Sequence, residues 1–461
     1  MMESLSFSAS APAPPAWRAV WRPAASNFMV TTRAEHEAGR AAVTPPAKAP
    51  GPRGWRRTFR ALRYRNFRIF VSGQTVSLVG TWMQNLTQSW LVYRLTGSEF
   101  LVGATGFCSH VPVLLLAPVG GLAADRLSRY RIVIATQVSF LLQALALGLL
   151  TLTGLVRVWH VFALAAVWGT VNAFDIPARQ SLYIHMVGSE DLINAISLNS
   201  VMFNTARVVG PALAGLLIAA VGEGTCFLIN AATYLAVIGS LLLLRLPRMA
   251  RARPDSPWAH VREGFRYVRD HPSVLSLLLI NSAMNLTRAP AVALAPFFAD
   301  AIFHRGSQGL GFLTGAAGLG AVAGTLGLAR RTRAAGLPEI VAYSAVTTGA
   351  CLVLFGASPA FALSLLIFAA IGFSQMRQNA SANTLIQTLI PDEYRGRIMA
   401  LYSVTVVGVL PLGHLAGGAV AESIGPRWTV SIGGALCLAA ALLFRKRVPL
   451  IHESIRKREP R

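Results

Sequence analysis

Three kinds of residue in this 461-residue chain have the type and setting to do chemistry. The first is a carboxylate among arginines. The stretch Gly120–Arg131, GGLAADRLSRYR, interrupts a long apolar run and sets Asp125 beside Arg126, Arg129 and Arg131. Its glycines open the reading of a phosphate-cradling turn, and its charge opens those of a nucleic-acid patch or part of a membrane machine. The second is a set of arginines inside apolar segments: Arg207, Arg288 and Arg377. A guanidinium in such a place snorkels to an interface, pairs with a carboxylate or meets an anionic ligand. Arg288 and Arg377 both belong to the second half of the chain, and two cations facing one cavity would favour an anionic or oxygen-rich ligand. The third is a pair of histidines, His110 and His414, which either exchange a proton or serve as hydrogen-bonded packing residues.

Other chemistries have no residues to carry them. No P-loop with a following Lys-Ser/Thr, no HExxH and no GxSxG turn is present, which argues against an ATP-driven pump, a zinc hydrolase and a serine hydrolase. The four cysteines, Cys108, Cys226, Cys351 and Cys437, lie in apolar segments without chelating or disulfide spacing. The reading is therefore of no catalytic residue, no metal and no cofactor. The intramembrane polar residues Gln84, Asn85, Gln88, Asn172, Asn204, Asn281, Asn285 and Asn379 join Arg288 and Arg377 as candidates to line a cavity. Trp82, Trp90 and Phe107 are candidates to stack on a flat ligand or to face lipid.

The elements that must position these residues follow from the apolar patterning. The chain is 54% hydrophobic and 13% charged, with mean hydropathy +0.51. Twelve apolar segments of bilayer-spanning length are predicted near 68–92, 101–122, 132–154, 159–177, 196–220, 226–245, 273–299, 308–329, 339–357, 360–382, 398–421 and 428–444. The first is interrupted by Gln74, Gln84, Asn85 and Gln88, which must face protein or a wet cavity if it spans. With both termini placed in the cytoplasm, 35 of the 42 Lys and Arg residues fall on the cytoplasmic side, four on the other and three within spans. This division accounts for the net charge of +23 without a nucleic-acid partner.

Residues 1–60 read as a disordered basic cytoplasmic tail without a cleavable signal peptide, and 446–461 as a second basic tail. Residues 61–246 and 273–445 read as two six-helix halves, joined by a basic connector over 247–272 whose middle, Trp258 to Val268, has the spacing of a short interfacial helix. The segment 181–201 aligns without gaps to 384–404 at an offset of 203, which also carries Gly210 and Gly215 onto Gly413 and Gly418. An even offset in spans implies two similarly oriented halves.

Over about residues 60–445 the chain resembles a major facilitator superfamily transporter, particularly the bacterial branch of enterobactin-exporter-like and drug-efflux carriers. The resemblance is carried by the entry segment 64–98, the opening stretch, DIPARQ at 175–180, NTARVVGPALAG at 204–215 and PDEYRGRIMALYS at 391–403, the last including Asp392, Arg395 and Arg397. It implies an all-α fold of twelve transmembrane helices in two pseudo-symmetric halves. It implies also secondary-active export of a siderophore-like or drug-like molecule by alternating access, coupled to protons, in a monomer of the bacterial inner membrane. A non-transporting sensor or scaffold on the same fold is the alternative. The family's signature loop between spans two and three is matched at Gly121, Asp125, Arg126 and Arg129, and departs at Ser128 and Tyr130. Its implied role is a gate latch in which Asp125 meets the start of span eleven while an arginine reaches span four, where Asp175, ahead of Arg179, is an available partner. Arginines that merely mark the cytoplasmic side are the alternative. Arg207, Gly210, Pro211 and Gly215 resemble the antiporter-associated span-five motif, with Ala214 in place of a glycine.

Overall fold

The computed structural model describes residues 59–188, 190–244, 257–329 and 336–457. The expected tail up to residue 58, part of the connector and Arg330, Arg331 and Arg333 lie outside them. A 3₁₀ turn, Arg60–Arg63, leads into α1 (Arg65–Thr96), α2 (Glu99–Arg126), α3 (Arg129–Leu152), α4 (Val158–Val187) and α5 (Leu192–Leu242). Then come α6 (Pro257–Asp270) and α7 (Pro272–Ala293), which runs on through Ala295–Phe297 and a π turn at Phe298–Ile302. They are followed by α8 (Gly306–Ala329), α9 (Leu337–Ala357) and α10 (Phe361–Leu389). Finally α11 (Asp392–Ser403) passes through a π turn at Val404–Gly408 into α12 (Leu410–Ile424), with α13 (Pro426–Arg445) and α14 (Val448–Arg456) closing the chain.

The protein is an all-α polytopic membrane protein. Among the described residues nine helices are long and apolar enough to cross a membrane, or ten if α7 and its continuation, bent by 41°, form one span. This falls short of the expected twelve for two visible reasons. The amides of α1 lower its hydropathy, and the expected spans 196–220 and 226–245 are merged in α5. At 51 residues α5 is long for any bilayer, since ~1.5 Å per residue gives roughly 76 Å against a hydrocarbon core of about 30 Å. Gly222, at φ 79° and ψ 170°, breaks it into arms of 192–221 and 223–242. Side chains with a Cβ are strained in that backbone, so glycine is what lets the chain reverse there.

Small residues set the helix packing, as expected where lipid supplies no hydrophobic drive between helices. Gly120 of α2 lies against the carbonyl of Ala173 in α4, and Gly169 of α4 against that of Ser109 in α2. In the second half Gly320 of α8 meets the Ala369 carbonyl of α10, and Gly372 of α10 meets the Ala317 carbonyl of α8. Exposed leucines such as Leu319, Leu366 and Leu436 cover the outside, and a bilayer is the solvent that suits them. Trp159 and Trp428, 64% and 69% exposed, begin α4 and α13, at the level where interfacial aromatics sit.

The connector forms α6, slightly longer than the expected Trp258–Val268. Within the second basic tail, Val448–Arg456 forms α14. Its Ile451 and Ile455 are buried four residues apart, Ser454 hydrogen-bonds Ser273 at 2.7 Å and His452 pairs with Glu339 at 2.5 Å.

Candidate substrate site and gates

The turns after α2 and α4, together with α6 and α14, mark one end of the bundle, here called the basic end. Four hydrogen bonds join the first half of the chain to the second among the described residues, and none lies near that end. Tyr93 Oη donates to Asp300 Oδ2 at 2.7 Å, Ser98 Oγ to Glu422 Oε1 at 3.2 Å, Ser307 Oγ to the Gly215 carbonyl at 3.1 Å, and Arg207 Nη2 to Gln375 Oε1 at 3.1 Å. The Tyr93 ring also packs on Phe297, 4.6 Å between centroids. Bare backbone completes the seal. Gly103 of α2 faces the His414 carbonyl and Gly418 of α12, and Gly215 of α5 faces Ser307 and Gly311 of α8. Glu223, just past the α5 break and only 6% exposed, is held by Arg94 at 2.7 Å. The end opposite the basic one is therefore closed.

At mid-height the polar residues divide into two sets. Gln84 does not face a cavity: it donates to Gln143 at 2.8 Å and accepts from Asn230 at 2.6 Å inside the first half, where Gln74 and Gln88 are also buried. Asn85 alone of the interrupting amides is exposed. Asn281 and Asn285 tie α7 to the π turn before α12, donating to the hydroxyl and carbonyl of Thr405 at 2.8 and 3.2 Å. Asn172 is half-buried, and Asn204 donates to the Ser200 carbonyl at 2.8 Å while its buried carbonyl oxygen has no partner. Asn379 accepts at its backbone from Tyr402, and its side-chain oxygen is likewise unpartnered.

The second set is cationic. Arg288 is 8% exposed, and its one side-chain hydrogen bond among the described residues is to Asn285 Oδ1 at 3.3 Å. Arg207 lies over the Trp82 ring at 5.8 Å, with Phe203 edge-on to that indole at 5.4 Å. Arg377 sits over Phe373 at 5.2 Å with its buried Nε unpartnered. It follows Gln375 by two residues, roughly 200° around a helix, so the α10 face that meets Arg207 does not carry it. His110 and His414 do come together, ring centroids 5.7 Å apart, with the His414 imidazole filling the space over Gly106. His110 Nδ1 hydrogen-bonds the Gly106 carbonyl at 2.9 Å. In the span-five motif Gly210 packs on Trp82, Gly215 seals against α8, and α5 passes Pro211 without leaving helical geometry.

At the basic end lies the loop after α2. Asp125 and Arg126 make no ion pair or hydrogen bond among the described residues. Arg129 reaches α4, at His185 Nε2 (2.9 Å), and also caps the Ala124 carbonyl at 3.2 Å. Asp175 is not open to the loop: it is 2% exposed, paired with Arg179 at 2.9 Å and bonded by Thr136 and Gln137 at 2.8 and 2.9 Å. The loop glycine in close contact is Gly120; a side chain at Gly121 would meet open space. Asp392 pairs locally with Arg395 at 2.6 Å, and Arg397 holds Glu263 of α6 at 2.7 Å.

Several of these residues carried no usable signal in the sequence. Asp191, buried at the start of α5, clamps the turn before α1 through Arg60 and Arg63 at 3.0 and 2.8 Å and accepts from Tyr64 at 2.9 Å. Tyr93 and Gln375 are unremarkable in type, whereas Glu223 and Asp300 were legible as lone acids between apolar runs.

Crossing helices sealed at one end around a polar centre form a fold shared with solved membrane transporters. Solved structures agree: a POT family transporter in complex with 5-aminolevulinic acid superposes with TM-score 0.70 at 9% identity, covering 84% of this chain and 96% of that one. A bacterial homologue of the iron transporter ferroportin in an inward-facing state gives 0.63 at 18% identity, covering 83% and 98%.

Residues 56–460 match the family described as transmembrane secretion effector, and the chain belongs to it. It is 26% identical over 391 residues to the uncharacterized MFS-type transporter YfiS of Bacillus subtilis, covering 81% of this chain and 91% of that protein. It is 23% identical to a staphyloferrin A transporter of Staphylococcus aureus (82% and 95% covered) and 24% identical to the enterobactin exporter EntS of Escherichia coli (84% and 92%). It is thus a multi-pass bacterial membrane protein with a secondary-transporter fold, and the proteins it matches are transporters rather than enzymes.

Proposed function

We propose that the protein is a secondary-active exporter that moves a small organic molecule, siderophore-like or drug-like, out of the bacterial cell by alternating access. The observation that carries this is the one-sided closure. Among the described residues every hydrogen bond between the halves lies between mid-height and the end opposite the basic one, which supports a polar centre open to the basic side. With the basic side in the cytoplasm of the inner membrane, as its arginines favour, this is the state that loads an outgoing substrate. Twelve crossings are counted once α1, both arms of α5 and the joined α7 and α11–α12 segments are each taken as one or two spans. Equivalent packing of α2 on α4 and α8 on α10 supports two similar halves, working as a monomer. Asp125, with Gly121, Arg126 and Arg129, latches onto the start of α11 at Asp392, Arg395 and Arg397 when the basic end closes. The proton is the coupling ion, and the His110–His414 pair is its carrier, since no carboxylate stands free among the mid-height groups. The relatives named for staphyloferrin A and enterobactin support the substrate range. The test is uptake into inside-out vesicles containing the protein, across siderophores and antimicrobials. Saturable uptake that collapses with the proton gradient is expected; no gradient-dependent uptake of any compound, with the protein folded, refutes transport.

A further inference from the structure

We propose that α6 carries a binding surface for anionic phospholipid headgroups, formed by Arg262, Phe265, Arg266 and Arg269 on its outward side. The surface stands on geometry and charge; only its consequence for a gate rests on the transport reading.

The helix has one side docked and one side bare. The docked side holds the buried Gly264, Tyr267 and Val268. It meets the start of α11, where Gly264 lies against Arg397 and Leu401, the Tyr267 ring packs on Tyr394 with centroids 4.5 Å apart, and Glu263 pairs with Arg397 at 2.7 Å. At about 100° per residue, Arg262, Phe265, Arg266 and Arg269 fall within an arc of roughly 100° centred opposite that side. All four are exposed, Phe265 by 62%. None of the three guanidinium groups has an ion pair or hydrogen bond among the described residues, and Asp270, the acid at the edge of the arc, pairs with none of them.

The height of the helix decides what the arc meets. No Asp, Glu, Lys or Arg stands between Arg397 and Glu422. That stretch is about 36 Å long at ~1.5 Å per residue, one crossing of a hydrocarbon core of about 30 Å. Arg397 therefore marks where the hydrocarbon stops at the basic end, and α6 is docked at that level. Its other neighbour agrees: His271 alone separates α6 from α7, whose first charged residue is Arg288. A helix tied to the edge of the core at both contacts presents its free side to the headgroups. Three arginines around one phenylalanine suit that layer, because the ring enters the apolar edge while the long stems carry their guanidinium groups up to the phosphates. There they make charge-assisted hydrogen bonds. A soluble acidic partner would have to enter the headgroup layer to reach Phe265.

Headgroups on the outer side steady α6. Through Glu263 they also steady Arg397 and the start of α11, where the latch proposed for Asp125 closes, so the charge of the lipid biases that closure.

The test uses the full chain in nanodiscs of phosphatidylcholine, alone or mixed with phosphatidylglycerol, with hydrogen exchange read over α6 and the start of α11. An arginine near an anionic surface contributes about fivefold to binding, so the three should slow exchange in α6 by roughly tenfold to a hundredfold when phosphatidylglycerol is present. Added salt should reverse much of this. Arg262→Gln, Arg266→Gln and Arg269→Gln together should abolish the slowing yet match wild type in thermal midpoint in phosphatidylcholine, since none of these side chains has a partner among the described residues. Arg445→Gln, Lys446→Gln and Arg447→Gln together remove three exposed charges at the same end, and should keep most of it. Glu263→Gln should keep the slowing in α6 and lose it in α11; slowing of α11 that survives this change overturns the coupling to the gate. The surface itself is overturned by equal exchange in the two lipids, or by equal losses in the two triple variants, which would reduce it to diffuse attraction. Protection that needs two copies per disc also overturns it, assigning the face to a second copy of the chain. Flux in proteoliposomes separates the two readings. Lipid-dependent protection without transport of any siderophore or antimicrobial keeps the surface and counts against transport; transport without that protection sinks the surface alone.

Discussion

Tyr93→Phe isolates the contribution of one hydroxyl to closure of the bundle. The Tyr93 ring keeps its edge-on packing against Phe297 at 4.6 Å, and only the 2.7 Å bond from Oη to Asp300 Oδ2 is lost. A hydrogen bond to a charged group contributes about 1.5–3 kcal/mol net. Both side chains are half-buried, so the lower end applies, and about 1.4 kcal/mol corresponds to a tenfold change in an equilibrium. This bond joins the halves only while the far end is closed. Its loss should shift the ratio of closed to open far ends about tenfold toward open. The measurement is a spin-label distance distribution between Leu155→Cys, where the native side chain is 65% exposed, and Ala360→Cys at the turn before α10, in a background without the native cysteines. Tyr93→Phe should enlarge the long-distance population, and Asp300→Asn, which retains a neutral acceptor, should do so less. The double variant should fall short of the sum, since both remove the same interaction. An unchanged distribution in Tyr93→Phe, or strict additivity of the two, refutes the argument that this bond holds the end shut.

Asp125→Asn should leave the thermal stability of the far-end-closed state unchanged, because Asp125 has no partner there among the described residues, while transport falls; equal transport at equal expression sinks the latch. Gly120→Ala should destabilise the fold through a clash with the Ala173 carbonyl, while Gly121→Ala folds like wild type; equal thermal midpoints for the two would contradict the packing described. Asp175→Ala strands Arg179 in the first half, and breaking a buried pair costs about 3–5 kcal/mol, so a large drop in the unfolding midpoint is expected. If Arg179→Met in addition restores much of that loss, the stranded charge is the cause; no restoration assigns it to the Thr136 and Gln137 bonds instead. Arg94→Met should open the α5 break locally by freeing Glu223, seen as faster hydrogen exchange around Gly222, with unchanged exchange as the refuting result.

Much of this architecture was legible in the chain. In hydrocarbon every backbone amide must be satisfied within its own helix, so apolar runs of span length separated by basic clusters dictate a bundle of crossing helices, and the arginines mark one side of it. Gly222 and the lone acids Glu223 and Asp300 stand out where helices turn. The rotation of each helix was not legible. An α2 that is apolar all round shows no stripe to say which face turns inward, and so Gly120 could not be told from Gly121 as the contact glycine. Gln84, read as lining a cavity, is consumed by Gln143 and Asn230 through contacts that no local pattern encodes.

By itself, then, the sequence determined the solvent this protein folds in, the crossing elements and the sidedness of their charge, because those follow from local hydropathy and local hydrogen bonding. Only the tertiary structure decided which charges stand alone. Whether a carboxylate neutralises Arg207 or Arg288 depends on how α5, α7, α10 and α12 are rotated against one another. Small-residue contacts and backbone approach set that rotation, and neither leaves a trace in the apolar pattern.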